Sequence, residues 1–209
     1  MAFKGWSPAA VEFFEGLEED NSRAYFTARM GVYDQEVRAP MLDLLDELEG
    51  EFGDSRVFRP NRDTRFSADK SPYKTSIAAT VGDGYIQVSA DGLMTGSGYY
   101  HMDPGQLDRY RRAVDDPAAG AGLESVIEKL EGARLDVHGT DPLKSAPRGY
   151  PRDHPRIELL RYKGLVAMKM WRPARWLGSV EAKTRIVEVL RTSVPLTDWL
   201  KAHVGDSRP

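Results

Sequence analysis

Two short runs joined by Asp91-Gly92 restrict the kind of sheet that this chain can form. The run from Tyr85 to Ala90 alternates Tyr, Gln and Ser with Ile and Val, which is typical of a half-buried strand. Asp91-Gly92 favours a two-residue hairpin turn, so Leu93 to Tyr100 is predicted to return antiparallel to the first run. Gly96 and Gly98 in the returning run indicate a bulge or a close approach by another group.

Helical patterns precede this hairpin. Ser7-Pro8 predicts the start of a first helix, with the Ser7 side chain accepting a free backbone amide and Pro8 in the first turn. Asn21-Ser22 is expected to cap a second scaffold helix that carries Phe26, Met30, Tyr33 and Val37 on one apolar face and is weakened locally by Gly31. A third is expected to begin at Pro40, carry an apolar stripe and end at Gly50 to Gly53.

Mixed patterns follow the hairpin. Asp103-Pro104 predicts another helix start, Pro117 to Gly122 is expected to interrupt it, and Ala133 to Tyr150 is expected to be irregular. Leu165 to Trp171 alternates like a strand, and the chain closes with two helical patterns. The order predicts an α+β fold. We expect an antiparallel or mixed sheet with a central hairpin, covered by N-terminal and C-terminal helices, in a single domain over residues 1–209.

Several classes of chemistry are absent from the sequence. It contains no cysteine, which excludes disulfides, thiolate metal sites and cysteine nucleophiles. The four histidines show no metal-ligand spacing, so no metal site is predicted, and no glycine-rich nucleotide motif names a cofactor. No run approaches the ~18 apolar residues of a membrane span. With no signal pattern in Met1 to Ser7, we expect a cytoplasmic protein without a membrane partner.

Charge is distributed unevenly along the chain. The net charge is only −3, but residues 1–54 carry 13 acidic and 4 basic side chains, whereas residues 56–74 carry 6 basic and 2 acidic ones. Residues 144–175 carry 9 basic and 2 acidic side chains. A near-neutral total therefore conceals two cationic stretches, which are the candidates for binding an anion.

The first of these, the basic segment, runs from Arg59 to Lys74. Arginine suits a carboxylate or phosphate because its planar fork donates two parallel hydrogen bonds, and aromatic faces allow a ring to stack. The predicted ligand-binding residues here are Arg59, Arg62, Arg65, Lys70, Tyr73 and Lys74. Two carboxylates lie among them, Asp63 and Asp69. Either these hold the arginines in place, or one acts as a catalytic base whose pKa the nearby cations lower.

The second basic loop runs from Leu143 to Pro155. It is rich in Pro and Gly and adds Lys144, Arg148 and Tyr150 as predicted ligand-binding residues. His154 is the candidate catalytic acid or base here, since an ordinary histidine titrates near physiological pH. The competing interpretation is a capping or surface histidine.

These motifs resemble a bacterial family of conserved hypothetical proteins, domain-of-unknown-function family 2461. The resemblance rests on G-W-S-P-A-A-V-E-F-F from Gly5, N-S-R-A-Y-F from Asn21, R-D-T-R-F-S-A-D-K-S-P-Y-K from Arg62, the stretch from Lys144 to Pro155, L-L-R-Y-K-G-L-V-A from Leu159 and P-L-T-D-W-L from Pro195. It implies a compact α+β domain and no particular activity. It also implies that residues of both basic stretches belong to one site, namely Arg62, Asp63, Arg65, Asp69, Lys70, Tyr73, Lys74, Arg148, Tyr150 and His154.

Three functions compete on this sequence. The first is a site for a small anionic ligand, bearing phosphate or carboxylate, with or without catalysis, formed by the two basic stretches together. The second is nucleic-acid binding, for which basic residues interleaved with Tyr and Phe are the ingredients. The third is a structural or protein-interaction module in which Arg and Asp form an ion-pair network.

Overall fold

A computed structural model describes residues 2–205 of the chain. The contacts of these residues group into two compact units. Unit 1 comprises the described residues up to Thr95 together with Met170–Glu188, and unit 2 comprises Gly96–Lys169 together with the described residues from Val189 onward. The expected single domain over residues 1–209 stays a prediction.

The strands alternate direction, as the Asp91-Gly92 turn predicted. Their bounds are β1 Ser55–Val57, β2 Ser76–Val81, β3 Gly84–Ser89, β4 Gly92–Tyr99, β5 Asp136–Thr140 and β6 Gly164–Trp171. In the described part of the chain they form a six-stranded open antiparallel sheet in the order β1-β2-β3-β4-β6-β5. The α+β prediction is therefore confirmed, and the sheet is antiparallel rather than mixed.

Helices surround these strands in sequence and supply most of the buried apolar residues. Their bounds are α1 Pro8–Glu19, α2 Arg23–Ala28, α3 Met30–Val32, a π-helical turn Tyr33–Arg38, α4 Ala39–Phe52, α5 Pro104–Asp115, α6 Pro117–Gly132, α7 Ile157–Arg161, a 3₁₀ turn Arg175–Gly178, α8 Glu181–Thr192 and α9 Val194–His203. No helix within residues 2–205 combines the length and the apolar character needed to cross a bilayer.

In unit 1 the first and fourth helices pack against the sheet. The apolar stripe of α1 is buried against β3, and that of α4 is buried against β1 and β2. Phe14 and Leu44 show how complete this burial is, because 1% and 0% of their surfaces remain exposed. Each such side chain contributes roughly 1.5–3 kcal/mol by leaving water. The predicted N-terminal stripes are thus core, and they hold the segment that joins β1 to β2.

In unit 2 the predicted capping box starts α5. The Asp103 carboxylate accepts from the Gln106 backbone N–H at 2.8 Å, and the Gln106 side chain accepts from the Asp103 N–H at 3.0 Å. On the buried face, the Tyr110 hydroxyl donates to the Leu159 carbonyl at 3.1 Å. The sequence predicted both hydrogen bonds of this capping box because the box is formed by residues only three positions apart.

Two N-terminal details differ from the predictions. Ser7 precedes α1, but its hydroxyl donates to the Glu36 carboxylate at 2.6 Å and caps no amide, because an ionised acceptor makes the stronger bond. Gly50 does not end α4, which continues to Phe52 and ends at Gly53 in a positive-φ conformation (99°). Gly50 costs the helix some propensity, but tertiary packing of the apolar stripe outweighs that cost.

Two predictions in the second half of the chain were also wrong. The helix that Asp103 caps does end at Asp115, as expected, but Pro117 to Gly122 is itself helical, since Asp116 accepts from the Ala118 and Ala119 backbone amides and Pro117 occupies the first position of α6. The segment expected to be irregular contains β5, whose residues pair with β6 from Asp136↔Met168 to Thr140↔Gly164. A strand that depends on a partner so distant in sequence leaves little local pattern.

We expect Gly98→Ala to destabilise the protein by about 2–3 kcal/mol, since Gly98 has φ of 125° and an added Cβ would overlap the Leu165 carbonyl oxygen. Gly122→Ala is the matched control. Gly122 lies inside α6 with nothing within 4 Å of the position of its Cβ, so this change should stabilise the protein by up to about 1 kcal/mol. Denaturant unfolding of both variants measures the difference, and equal effects would contradict the close approach at β4.

Candidate functional site

The basic segment is the connection between two neighbouring strands of unit 1. β1 and β2 pair antiparallel from Ser55↔Val81 to Val57↔Ala79, and the ladder continues with a hydrogen bond of 2.9 Å from Phe58 N to the Ala78 oxygen. Beyond this point Asn61 and Tyr73 form an isolated antiparallel bridge. Residues far apart in sequence therefore meet at the neck of a long hairpin loop.

The two sides of this neck are out of step with each other. Residues 58–60 on one side face residues 74–78 on the other, between the pair Val57↔Ala79 and the bridge Asn61↔Tyr73. Such an offset acts like a β-bulge, which bends the strands and redirects side chains. Across it, Lys74 N donates to the Pro60 oxygen at 2.8 Å. Arg59 and Lys74, both predicted site residues, thus lie close together.

Tyr73 anchors the neck to the N-terminal helices. The Asn21 side chain accepts from Tyr73 N and donates to the Tyr73 oxygen, both at 3.1 Å. The Tyr73 ring stacks on Phe26 with centroids 4.0 Å apart and planes 8° from parallel. Tyr73 was predicted to bind ligand, but its backbone and ring are occupied by these structural contacts.

Beyond the neck, the cations of the loop tip are matched by the carboxylates of the same tip. Arg62 forms an ion pair with Asp69, and Arg65 binds Asp63 through Nε at 3.0 Å and a terminal nitrogen at 2.7 Å. Lys70 donates to the Thr64 carbonyl at 2.9 Å. The three cations were predicted to bind ligand, and the two carboxylates, Asp63 and Asp69, were predicted to be catalytic. The geometry gives both carboxylates the holding role that was the alternative interpretation.

The electrostatics of the tip agree with that holding role. Hydrogen bonds from Ser71 and then Arg62 hold the pKa of Asp69 well below its usual range. A hydrogen bond from Arg65 likewise lowers the pKa of Asp63. Both carboxyls are therefore ionised near neutral pH and cannot donate a proton there.

A cleft of about 420 Å³ opens beside the neck, entirely within unit 1. One wall is the basic segment and its entrance, and the other comprises α2, α3 and the π-helical turn. Its lining residues are Phe26, Met30, Tyr33, Asp34, Arg38, Val57, Phe58, Arg59 and Pro60. We call this cavity the Arg38/Arg59 cleft. π-Helical turns are rare and occur frequently at functional sites.

Three polar groups of this cleft are not used by the fold. Within residues 2–205, the guanidinium groups of Arg38 and Arg59 make no hydrogen bond or ion pair, in contrast to the arginines of the loop tip. The Tyr33 hydroxyl has no hydrogen-bond partner in the same range, and while Tyr33 as a whole is only 5% exposed, its oxygen is not among the buried polar atoms that lack a partner, so it is open to the cleft. Burial raises its pKa, so the hydroxyl is a neutral donor. Unmatched donors beside aromatic rings are the ingredients of a site for an anion.

Lys74 adds a third cation beside this cleft. Its ammonium group lies over the ring of Phe58, 5.4 Å from the centroid. Partial burial lowers its pKa, and the nearby charge of Arg59 lowers it further. Lys74 therefore remains, together with Arg59, a candidate ligand-binding residue.

In unit 2 the second basic loop has a different character. His154 Nδ1 accepts from the Arg156 backbone N–H at 3.0 Å, which requires the ring proton of the neutral form to be on Nε2. Nε2 lies 3.1 Å from the Asp115 carboxylate. Both ring nitrogens are thus engaged in holding the loop to α5 and α7. This arrangement fits the capping interpretation better than the catalytic one.

Of the other predicted residues of this loop, Tyr150 contacts the histidine and the two cations are exposed. Tyr150 packs edge-on against the His154 ring at 6.4 Å, and burial raises the pKa of its hydroxyl. Lys144 and Arg148 are exposed. The two basic stretches belong to different compact units, and their joint site stays a prediction. No group of three His, Asp or Glu side chains suited to a metal ion occurs within residues 2–205.

Half of the cleft is formed by residues that the sequence did not mark as a site. Tyr33 and Arg38 lie on a segment that was interpreted as a helical scaffold with an apolar face. Met30 was placed on the buried face but is 47% exposed and lines the cleft. The only local signal was Gly31, which weakens the helix at the point where α3 gives way to the π-helical turn.

Comparison with known proteins identifies a family without a described activity. The family described as "Conserved hypothetical protein (DUF2461)" matches residues 9–199, which confirms the resemblance inferred from the motifs. No curated protein and no solved structure gave a significant match.

We expect Asn21→Ala to loosen the neck, because the change removes two hydrogen bonds worth about 1–3 kcal/mol together. Faster amide exchange at Tyr73 and Lys74, with α4 unaffected, would be the signature. Asn61→Ala is the control, as Asn61 joins the same bridge through its backbone alone. Unchanged exchange at Tyr73 in the first variant would show that Asn21 does not anchor the loop.

The loop tip should lose its order only in acid. Because the pKa values of Asp63 and Asp69 are lowered, their stabilising contribution is complete above about pH 5 and falls as the pH drops below roughly 3.9 toward the folded-state values. Proton NMR of the Arg65 and Ser71 backbone amides, which donate to these carboxylates, reports the change. An Asp69→Asn variant should lose the response at Ser71. A transition of either amide near pH 6 would contradict the assignment.

Proposed function

We propose that this chain, which belongs to the DUF2461 family of conserved hypothetical proteins, binds a small anionic ligand in the Arg38/Arg59 cleft. The observation that carries the proposal is the pair of guanidinium groups that line one cavity and form no ion pair among residues 2–205, so that two cations face the single carboxylate of that lining, Asp34. Other exposed arginines, such as Arg56, also lack a partner, so the distinguishing feature of Arg38 and Arg59 is that they line the same cavity.

The lining indicates what the rest of the ligand resembles. Phe26 and Phe58 offer aromatic surface, and Met30 offers an adaptable apolar contact. The volume falls in the ~300–1,000 Å³ range of small-molecule sites. The ligand is therefore a carboxylate or phosphate joined to an apolar or planar group, with the anion on the arginines and on the Tyr33 hydroxyl.

A small ligand fits these residues better than nucleic acid does. Nucleic-acid binding needs cations free to meet phosphates over an extended surface. In the exposed loop tip, however, Arg62 and Arg65 are neutralised by their own carboxylates. The structural network of the third hypothesis accounts for those two arginines and leaves Arg38 and Arg59 without a role. The absence of cysteine supports a reducing, cytoplasmic location in a bacterial cell as part of the same proposal.

Ligand-induced shifts of the melting temperature test the proposal. Phenyl phosphate, benzoate and inorganic phosphate are the probes, and phenyl phosphate should bind tightest because it adds apolar burial to the charge. Arg38→Met and Arg59→Met should each weaken phenyl phosphate binding about tenfold or more, since a hydrogen bond to a charged group contributes ~1.5–3 kcal/mol. Tyr33→Phe should weaken it less.

The control is Arg56→Met, which removes the same charge from β1 without touching the cleft lining. It should leave the shift intact. Equal loss in all three arginine variants would mean that general charge attraction explains the effect. The absence of any shift with the three probes at millimolar concentrations, where a site of this size normally responds, would overturn the proposal.

A further inference from the structure

We propose that Lys74 is a nucleophile that forms an imine with a carbonyl compound held in the Arg38/Arg59 cleft. This inference rests on the proposed function and narrows the ligand class to an aldehyde or ketone that carries a carboxylate or phosphate. Three independent features of Lys74 lead to it.

The first feature is position. Lys74 N is hydrogen-bonded to the Pro60 oxygen at 2.8 Å, and its ammonium group lies over Phe58 at 5.4 Å. Pro60 and Phe58 both line the cleft, and Arg59 lies between them in the chain. The Lys74 amine therefore lies over a ring that lines the cleft, although Lys74 is not itself a lining residue, and it is near enough to Arg59 for that charge to lower its pKa.

The second feature is the lack of a counter-charge. Three other lysines of the described chain are tied to oxygen atoms: Lys183 to Glu47 at 2.5 Å, Lys163 to Asp141 at 2.6 Å and Lys70 to the Thr64 carbonyl at 2.9 Å. Lysines without such a contact, such as Lys4, Lys129 and Lys144, are exposed, whereas Lys74 is half-buried. The Lys74 amine makes no hydrogen bond or ion pair within residues 2–205. Its contact with an aromatic face is weaker than an ion pair in a buried setting and leaves the nitrogen free to react.

The third feature is the ease of losing a proton. Partial burial and the charge of Arg59 both disfavour the ammonium form, and so they lower the pKa of Lys74. Desolvation beside another cation is how proteins prepare lysines for imine chemistry, because only the neutral amine has an electron pair to donate. An anionic group on the ligand would at the same time be attracted to Arg38 and Arg59.

The reaction balances without any further reagent. The neutral Lys74 nitrogen attacks the carbonyl carbon, a C–N bond forms, and the π electron pair moves to the oxygen, which takes a proton from solvent. The resulting hydroxyl leaves as water after a second protonation, while the nitrogen loses one of its protons and forms the C=N bond. Amine, carbonyl and one net proton from solvent thus give a protonated imine and water.

Borohydride trapping followed by peptide mass spectrometry tests the inference. The probes are glyoxylate, glycolaldehyde phosphate and glycolaldehyde, which share an aldehyde and differ in carrying a carboxylate, a phosphate or no charge. Lys74 should acquire at least tenfold more reduced adduct than Lys70 with a charged probe, and the preferred anion identifies the ligand class. The neutral probe should show a smaller preference for Lys74.

Variants separate reactivity from binding. Lys74→Arg keeps a cation over Phe58 but cannot form an imine, so it should lose the adduct, while the phenyl phosphate melting shift should fall less than in Arg59→Met. Lys70→Met should change neither. In Arg59→Met, adduct at Lys74 should fall severalfold even with neutral glycolaldehyde, because the amine is then more often protonated.

The outcomes are distinguishable. If Lys74 gains no more adduct than Lys70 while phenyl phosphate still shifts the melting temperature through Arg38 and Arg59, the imine inference is wrong and the anion site stands. If the melting shift is absent as well, the proposed function fails. Selective adduct at Lys74 with only the neutral probe would reject the anionic substrate class.

Discussion

The antiparallel pairing of β1 with β2 positions every other feature of the candidate site. It makes the segment between these two strands a long loop with a closed neck. The bridge Asn61↔Tyr73 marks the outer end of that neck. The Asn21 amide and the Phe26 ring then fix Tyr73 from the helical side. Because the ladder and the bridge are offset, the neck cannot be a regular sheet, and the irregularity brings Arg59 and Lys74 together at the cleft.

The basic segment separates into two parts with different roles. At the tip, each arginine has a carboxylate and each carboxylate has a lowered pKa, so the charges largely cancel and shape the loop. At the neck, the exposed Arg59 and the half-buried Lys74 remain without an ion pair among residues 2–205, so their charges are available to a ligand. The exposed Phe66 belongs to the first part, since Arg65 lies 5.9 Å from its ring centroid. A high density of charged residues in the sequence therefore does not by itself identify the binding residues. Whether each cation has a carboxylate partner in the fold determines which cations are available to a ligand.

Sequence patterns were informative wherever the deciding contact is local. The Asp103 capping box, the Asp91-Gly92 turn and the apolar stripes of α1 and α4 follow from neighbours a few residues away, and all appear in the fold. The two strands that were missed, β1 and β5, pair with strands 18 or more residues away in the chain. Their short sequences carry no alternation of their own, so only the partner makes them strands. The π-helical turn was not predicted for a similar reason, because its tertiary packing overrides the ordinary helical pattern of its sequence.

Residue types alone determined that this chain is an α+β protein of the DUF2461 family, without cysteine chemistry, and that Arg59 and Lys74 belong to an unusually cationic stretch. The tertiary structure decided which cations are satisfied. Arg62 and Arg65 found carboxylates within the loop, while Arg38 came from a helical segment to share a cleft with Arg59. The composition gives the number of charges but not which of them form ion pairs. Ion pairs depend on distances of a few ångströms, which are set only when the strands pair in their final register.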